Sequence, residues 1–243
     1  MGIVKYNNIS SLDLGLFVQA TPVYNYAEKD VAFQHVNGRS GDIIQNYRSF
    51  KNSNRTYYFA KVFRPGEKYV NSSQAITEWL HSSDTYARLE DSYEPEYYRM
   101  AIYKDSGSFV NIYDQAESFE ITFECKPQRW LIAGDEEITI NSTTIKNPTK
   151  YDALPTFKIE VLANTVAEIF INGNLVIRIK DITENDTVYI DCENMECYSS
   201  TKNYNNNVEL TNMEFPKLNG NEDILLTVSG CASATIKPRW WTL

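Results

Sequence analysis

At 243 residues, 42% hydrophobic and 13% aromatic, the chain is long enough for two ordinary domains or one large one, each with a proper core. Its 32 acidic against 23 basic residues give a formal charge of −9, a sign that repels phosphate backbones and argues against a nucleic-acid binder. Four cysteines and two histidines include the close pair Cys192 and Cys197, but no second Cys pair or spaced His pair accompanies it, so no metal pattern forms and buried, reduced thiols are expected.

The opening "MGIVKYNNIS" has no charged segment followed by an apolar run, and no stretch approaches a membrane span of about 20 residues. The expectation is a chain folded in a cytoplasm, with no membrane partner, whose sequons at Asn8, Asn54, Asn71, Asn141 and Asn185 carry no meaning. "VNGRSGDII" (36–44) clusters turn residues without the Lys-Ser/Thr of a phosphate loop, so Gly38 and Gly41 flanking Arg39 are expected to shape an irregular strand-to-strand turn. "RTYYFAKVF" and "YYRMAIYKD" read as strands. Between them "NSSQAITEWLHSS" reads as a helix of about three turns, capped by Asn71 with Gln74 three residues on. Its Ile76, Trp79 and Leu80 form one apolar stripe, which makes Trp79 a packing residue.

Carboxylates cluster at "LEDSYEPE" (Asp91, Glu94, Glu96) and at "GDEE" (Asp135, Glu136, Glu137). Glycoside hydrolysis needs two carboxylates facing each other across a sugar; these sit in local runs on apparent loops and are expected to be solvated. The two histidines stand in no catalytic motif, so no catalytic residue, cofactor or metal is assigned.

"SFEITFECKPQRW" is the clearest strand: Phe119, Ile121, Phe123 and Cys125 alternate with polar residues until Pro127 stops the ladder and Trp130 anchors the end. Composition turns polar at Gly134, and "GDEEITINSTTIKNPTKYDALP" is expected to be loop-like. "EIFINGNLVIRIKDI" is a hairpin whose Asn172-Gly173 supplies the positive φ angles of a type I′ turn. "DTVYIDCENMECY", "DILLTVSG" and "ASATIKP" supply further strands, which together suggest a β-sandwich. "YSSTKNYNNNVELTN" is read as a flexible loop, and Tyr189, Tyr198 and Tyr204 are the candidates for contact with a glycan. The chain closes on "KPRWWTL", which repeats the earlier Lys-Pro and Arg-Trp pairs and leaves Trp240 needing somewhere to pack.

Taken in order, these blocks resemble the distal tail proteins (Dit) of long-tailed, non-contractile bacteriophages. "IVKYNNISSLDLGLFV" is similar to the family's first strand and turn, and "VNGRSGDIIQNYRSFKN" to its Gly-Arg-x-Gly signature. "ITEWLHSSDTYARLEDSYEPEYYRMAIY" resembles its helix and following strand pair, and "SFEITFECKPQRW" the end of its first domain. "INGN", "VYIDCENMECY" and "FPKLNGNEDILLTVSG" resemble the appended galectin-like domain, apart from a Glu-Asp where an apolar strand usually begins at once.

The resemblance implies a mainly β protein: an N-terminal β-barrel or sandwich-like domain with one helix (1–133), then a galectin-like β-sandwich (134–234), with 235–243 returning to the first domain. It implies a hexameric ring acting as hub between the tail tube, tape-measure and tail-tip or baseplate proteins, in a virion tail assembled in a bacterial cytoplasm, with DNA passing through. No His-Asn-Arg sugar constellation can be assembled, yet a carbohydrate-binding module on the second sandwich remains the alternative, and a glycosidase on paired carboxylates the third reading.

Overall fold

The computed structural model describes residues 2–63, 69–105, 110–112, 116–162 and 166–243. It separates into two compact units, Met1–Arg129 with Leu243, and Trp130–Thr242.

The first unit is built on one curled sheet. Neighbouring strands run in the order Ile9–Ser10, Val4–Tyr6, Ala87–Asp91, Tyr97–Ile102, Ala116–Cys125, Ser53–Val62 and Leu16–Val18, with Val23–Tyr24 also on Ser53–Val62. The two ten-residue strands pair from Ala116↔Val62 to Cys125↔Ser53. Because side chains alternate across a pleat, that register puts Tyr57, Phe59, Phe119, Ile121, Phe123 and Cys125 in the core and leaves the Thr56 and Thr122 hydroxyls 2.8 Å apart on the other face. "SSLDLG" makes the first tight turn: Ser10 and Asp13 form a capping box, and Gly15 closes it at φ 71°.

The helix spans Tyr69–Leu80, so it starts before Asn71 and that residue lies inside it rather than capping it. The expected stripe is buried: Ile76, Trp79 and Leu80 all enter the core. Trp79 donates from Nε1 to the Tyr6 carbonyl at 3.2 Å and meets the Tyr6 and Phe59 rings edge-on, so its one polar atom is satisfied in the interior.

The second unit is a sandwich of two five-stranded antiparallel sheets. One runs Ile138–Thr139, Ser233–Lys237, Thr156–Glu160, Thr187–Asp191, Glu196–Tyr198; the other Thr143–Lys146, Asp223–Ser229, Ala167–Ile171, Asn174–Ile179, Val208–Leu210. Phe157, Ile159, Val188, Ile190 and Ile236 from the first sheet pack with Ile169, Ile177, Ile179 and Leu226 from the second. The Asn172-Gly173 turn has φ of 51° and 79°, the two positive values that a type I′ hairpin requires.

Two expectations change. The polar stretch after Gly134 is not simply loop: it contributes an edge strand to each sheet, because Ile140 and Ile145 reach the core from a polar background. The Asn-rich stretch 198–212 is held in place, with Tyr204 fully buried and Asn205 Oδ1 accepting from the Cys197 amide at 2.6 Å before the strand Val208–Leu210. Residues 235–243 are divided: Trp241–Thr242 pairs with Arg129–Leu131 in the same sheet as the first unit's strands. Ser233–Lys237 sits in the second unit between Ile138–Thr139 and Thr156–Glu160, Trp240 is buried in the second core, and Leu243 groups with the first. Alternation carries Ala234 and Ile236 into the sandwich, which fixes where the chain end must run.

The segments 130–134 and 239–241 meet in this unit. Leu131 donates its amide to the Trp240 carbonyl at 2.8 Å, and Arg239 donates to the Gly134 carbonyl at 2.7 Å. Trp130 and Trp240 are both buried, and Trp241 stacks on Tyr151 with ring centroids 4.5 Å apart.

Candidate functional site

Strands Lys29–Gln34 and Ile43–Phe50 pair only with each other among the described residues. An isolated two-stranded ribbon is marginally stable in water and offers open backbone edges. This one also carries its apolar side chains outward. Phe33 and Ile44, directly paired on one face, are 64% and 61% exposed; Ile43 and Tyr47 on the opposite face are 41% and 52% exposed.

The turn at the tip is the one the glycines announce. Gly38 and Gly41 both have φ of 81° with open space beside them, Arg39 donates its amide to Val36 O at 3.2 Å, and its side chain is exposed. His35 Nδ1 lies 3.3 Å from Asp42 across the turn. Gly38, Arg39 and Gly41 therefore shape a projecting hairpin, whereas Trp79, Trp130 and Trp240 are interior residues.

The glycan candidates separate. Tyr189 and Tyr198 are cross-strand partners whose rings stack at 5.7 Å on the surface of one sheet, with Tyr198 40% exposed. Tyr204 is a core residue: its hydroxyl accepts from the Thr183 amide at 3.1 Å and donates to Asp186 at 2.8 Å, so it has neither surface nor free polar atom to offer. A groove that the sequence did not single out lies on the other sheet. It has a volume of about 510 Å³ and is lined by Asn172, Asn174, Thr211, Asn212, Phe215 and Asn219, among others. The dispersal of its amides over two segments some 40 residues apart hid it.

The carboxylates of "LEDSYEPE" are not solvated as expected. Asp91 ends a strand on which Ala87, Leu89 and Asp91 alternate inward. It accepts from Tyr57 Oη at 2.7 Å, from Tyr24 Oη at 3.1 Å, and from the amides of Tyr93 and Glu94 at 2.9 Å. Glu94 is held by Arg99 at 2.7 Å, Arg129 at 2.6 Å and Arg55 at 3.6 Å. Both act as fixed acceptors within the first unit. No group of three or more His, Cys, Asp or Glu side chains among the described residues is placed to hold a metal, and no helix there is long and apolar enough to cross a membrane. The four thiols are free, and those of Cys125, Cys192 and Cys197 are buried.

The fold, a curled sheet in the first unit and a β-sandwich in the second, recurs in solved structures of phage tail proteins. The SPP1 Dit protein (gp 19.1), described as a paradigm of the hub adsorption apparatus in phages infecting Gram-positive bacteria, superposes with a TM-score of 0.72 at 14% identity, over 97% of each chain. A chain of the phage p2 baseplate, in its activated conformation with Sr, does so with a TM-score of 0.54 at 12% identity, again over 97% of each chain. No family model and no curated protein sequence matches. The fold is thus shared with the family whose sequence blocks this chain resembles.

Proposed function

We propose that this chain is a distal tail hub protein of a phage or prophage. In this reading six copies form a ring that joins the tail tube to the baseplate or tail-tip proteins, beside the tape-measure protein, in a virion tail assembled in the bacterial cytoplasm. The first unit, taken as a domain, builds the ring, and the second is an appended domain. The role is structural rather than catalytic. The observation that carries it is the unpartnered hairpin Lys29–Phe50, with its exposed Phe33 and Ile44, in a chain whose fold matches hub and baseplate proteins from end to end.

A closed ring needs one surface patch to meet a different patch on the next copy, six times over. A projecting hairpin is suited to that head-to-tail contact, since pairing it removes an open edge and an exposed apolar face together. A net charge of −9 disfavours adhesion of passing DNA within a Debye length of about 8 Å at physiological salt.

Light scattering on a sizing column across a concentration series tests the reading. Six chains of 28.0 kDa give a species of about 168 kDa that forms rings under negative stain, and Phe33→Asp with Ile44→Asp reduces it to a folded monomer. A wild-type monomer at every concentration, unchanged by adding tail-tube or baseplate proteins, counts against it.

The amide-lined groove favours a second reading, a carbohydrate contact on the second sandwich, because convergent amides beside an aromatic ring are what a sugar hydroxyl array requires. A cell-wall glycan screen with the full chain and with Asn174→Ala separates the two: glycan binding that the substitution removes supports the contact.

A further inference from the structure

The three arginines around Glu94 line a cavity of about 300 Å³ within the first unit, together with Tyr24, Tyr26 and Pro127. Arg55 and Arg99 are among the most buried charged residues of the chain, with side chains 7% exposed. Burying a guanidinium is expensive unless each charge and each N–H is matched, and here several N–H groups are not. Glu94 alone receives all three: its Oε1 from Arg129, its Oε2 from Arg99 and Arg55. Asp91, the other carboxylate of this cluster, already accepts from two phenols and two amides. Three guanidiniums therefore share two side-chain carboxylates, and Leu243 also lines the cavity. Arg55 Nε and Nη1, Arg99 Nη2 and Arg129 Nε are buried with no acceptor among the described residues. Arg55 is held flat against the Tyr24 ring at 3.7 Å, and Arg129 lies 4.6 Å from the Tyr97 centroid, so the guanidiniums are fixed in place before any ligand arrives.

We propose that this cavity is a receptor for a single carboxylate, such as the side chain of an acidic residue presented by a partner protein. A carboxylate supplies the acceptors that these buried N–H groups lack. Its two planar oxygens suit guanidinium N–H groups, which pair with carboxylates in forked geometry, and the flanking Tyr26 and Pro127 accept the methylene stem. A phosphate dianion would add a second negative charge beside Glu94 and Asp91. The site stands on these side chains alone and is independent of the hub reading.

The test is a titration of the full chain with sodium acetate, and separately with acetyl-Ala-Glu-Ala-amide, each against sodium chloride at equal ionic strength. Nitrogen-15 NMR of the Arg Nε–H groups and the thermal midpoint are the readouts. Expected are saturable shifts of the Arg55 and Arg129 Nε–H resonances and a raised midpoint. Saturation by both probes assigns the site to carboxylates in general; saturation by the peptide only assigns it to protein side chains. Arg129→Gln, at the least buried of the three positions, weakens either affinity at least tenfold, as expected for loss of a charged hydrogen bond, and Arg129→Lys restores part of it. If the arginines serve packing alone, Arg129→Gln lowers the midpoint equally with and without probe. That outcome overturns the proposal, as does absence of saturation by both carboxylates or saturation by phosphate alone.

Discussion

Tyr57 and Asp91 show what a single hydroxyl does inside a sheet. Burial first, then the neighbouring Asp91 carboxylate, push the Tyr57 phenol well above its ordinary 10.0, and Tyr24 is raised for the same two reasons. A group whose folded pKa lies above its unfolded one stabilises the fold fully below the unfolded value and loses that contribution as pH climbs toward the folded one. Stability of the first unit is therefore expected to decline from about pH 10 upward, as read by urea midpoints. Tyr57→Phe removes part of this alkaline slope. At neutral pH it costs about 1–3 kcal/mol, because Asp91 loses a donor in a place that water does not reach. An alkaline slope identical in the variant would show that other phenols carry it.

The cysteines give a second expectation at this scale. Burial pushes the thiols of Cys125 and Cys197 up to about 12 and that of Cys192 higher still, while Cys231 is raised less and is only half-buried. Thiolate is the reactive form, so a thiol reagent at pH 8 should modify Cys231 first and reach the other three only on unfolding. Peptide mass mapping reads the order directly; early labelling of Cys192 or Cys197 would contradict the packing described for the second core.

Among the elements, the meeting of segments 130–134 and 239–241 depends on one missing side chain. Gly134 is buried, and a Cβ there would strike the backbone nitrogen of Trp240 and lie 3.2 Å from the Arg239 carbonyl carbon. Backbone on backbone cannot yield as a side-chain tip can. Gly134→Ala should therefore cost about 1–3 kcal/mol of second-unit stability, the usual range for overpacking, seen as a lower urea midpoint with an unchanged slope. Much of this layer was legible beforehand. The alternation in Phe119–Cys125, the helical stripe Ile76–Leu80 and the Asn172-Gly173 turn each rest on local periodicity or local dihedrals, and the structure keeps all three. What stayed hidden depends on distant partners. Glu94 could not be told from a solvated charge until Arg55, Arg99 and Arg129 converged on it from separate strands. Tyr204 looked like a loop tyrosine because its acceptor, Asp186, and its donor, Thr183, are some 20 residues back along the chain.

For the molecule as a whole, the decisive feature is two cores with no residue in common. In the second, both sheets of the sandwich contribute inward-facing aliphatics, Trp240 is buried with them, and the ten sandwich strands find their partners between Ile138 and Lys237. A unit with its own core and its own closed pattern of pairing has what a domain needs in order to fold alone. Residues 130–242 expressed separately should therefore give a cooperative, single-transition unfolding curve with dispersed methyl resonances. Lacking the hairpin Lys29–Phe50, this fragment should also remain monomeric at concentrations where the full chain assembles, which ties the oligomer to the first unit and leaves the groove beside Phe215 free to be assayed by itself. A fragment that is unfolded would mean that the second sandwich relies on the rest of the chain. One that folds yet forms rings would move the assembly surface onto the sandwich and remove the hairpin from its proposed role.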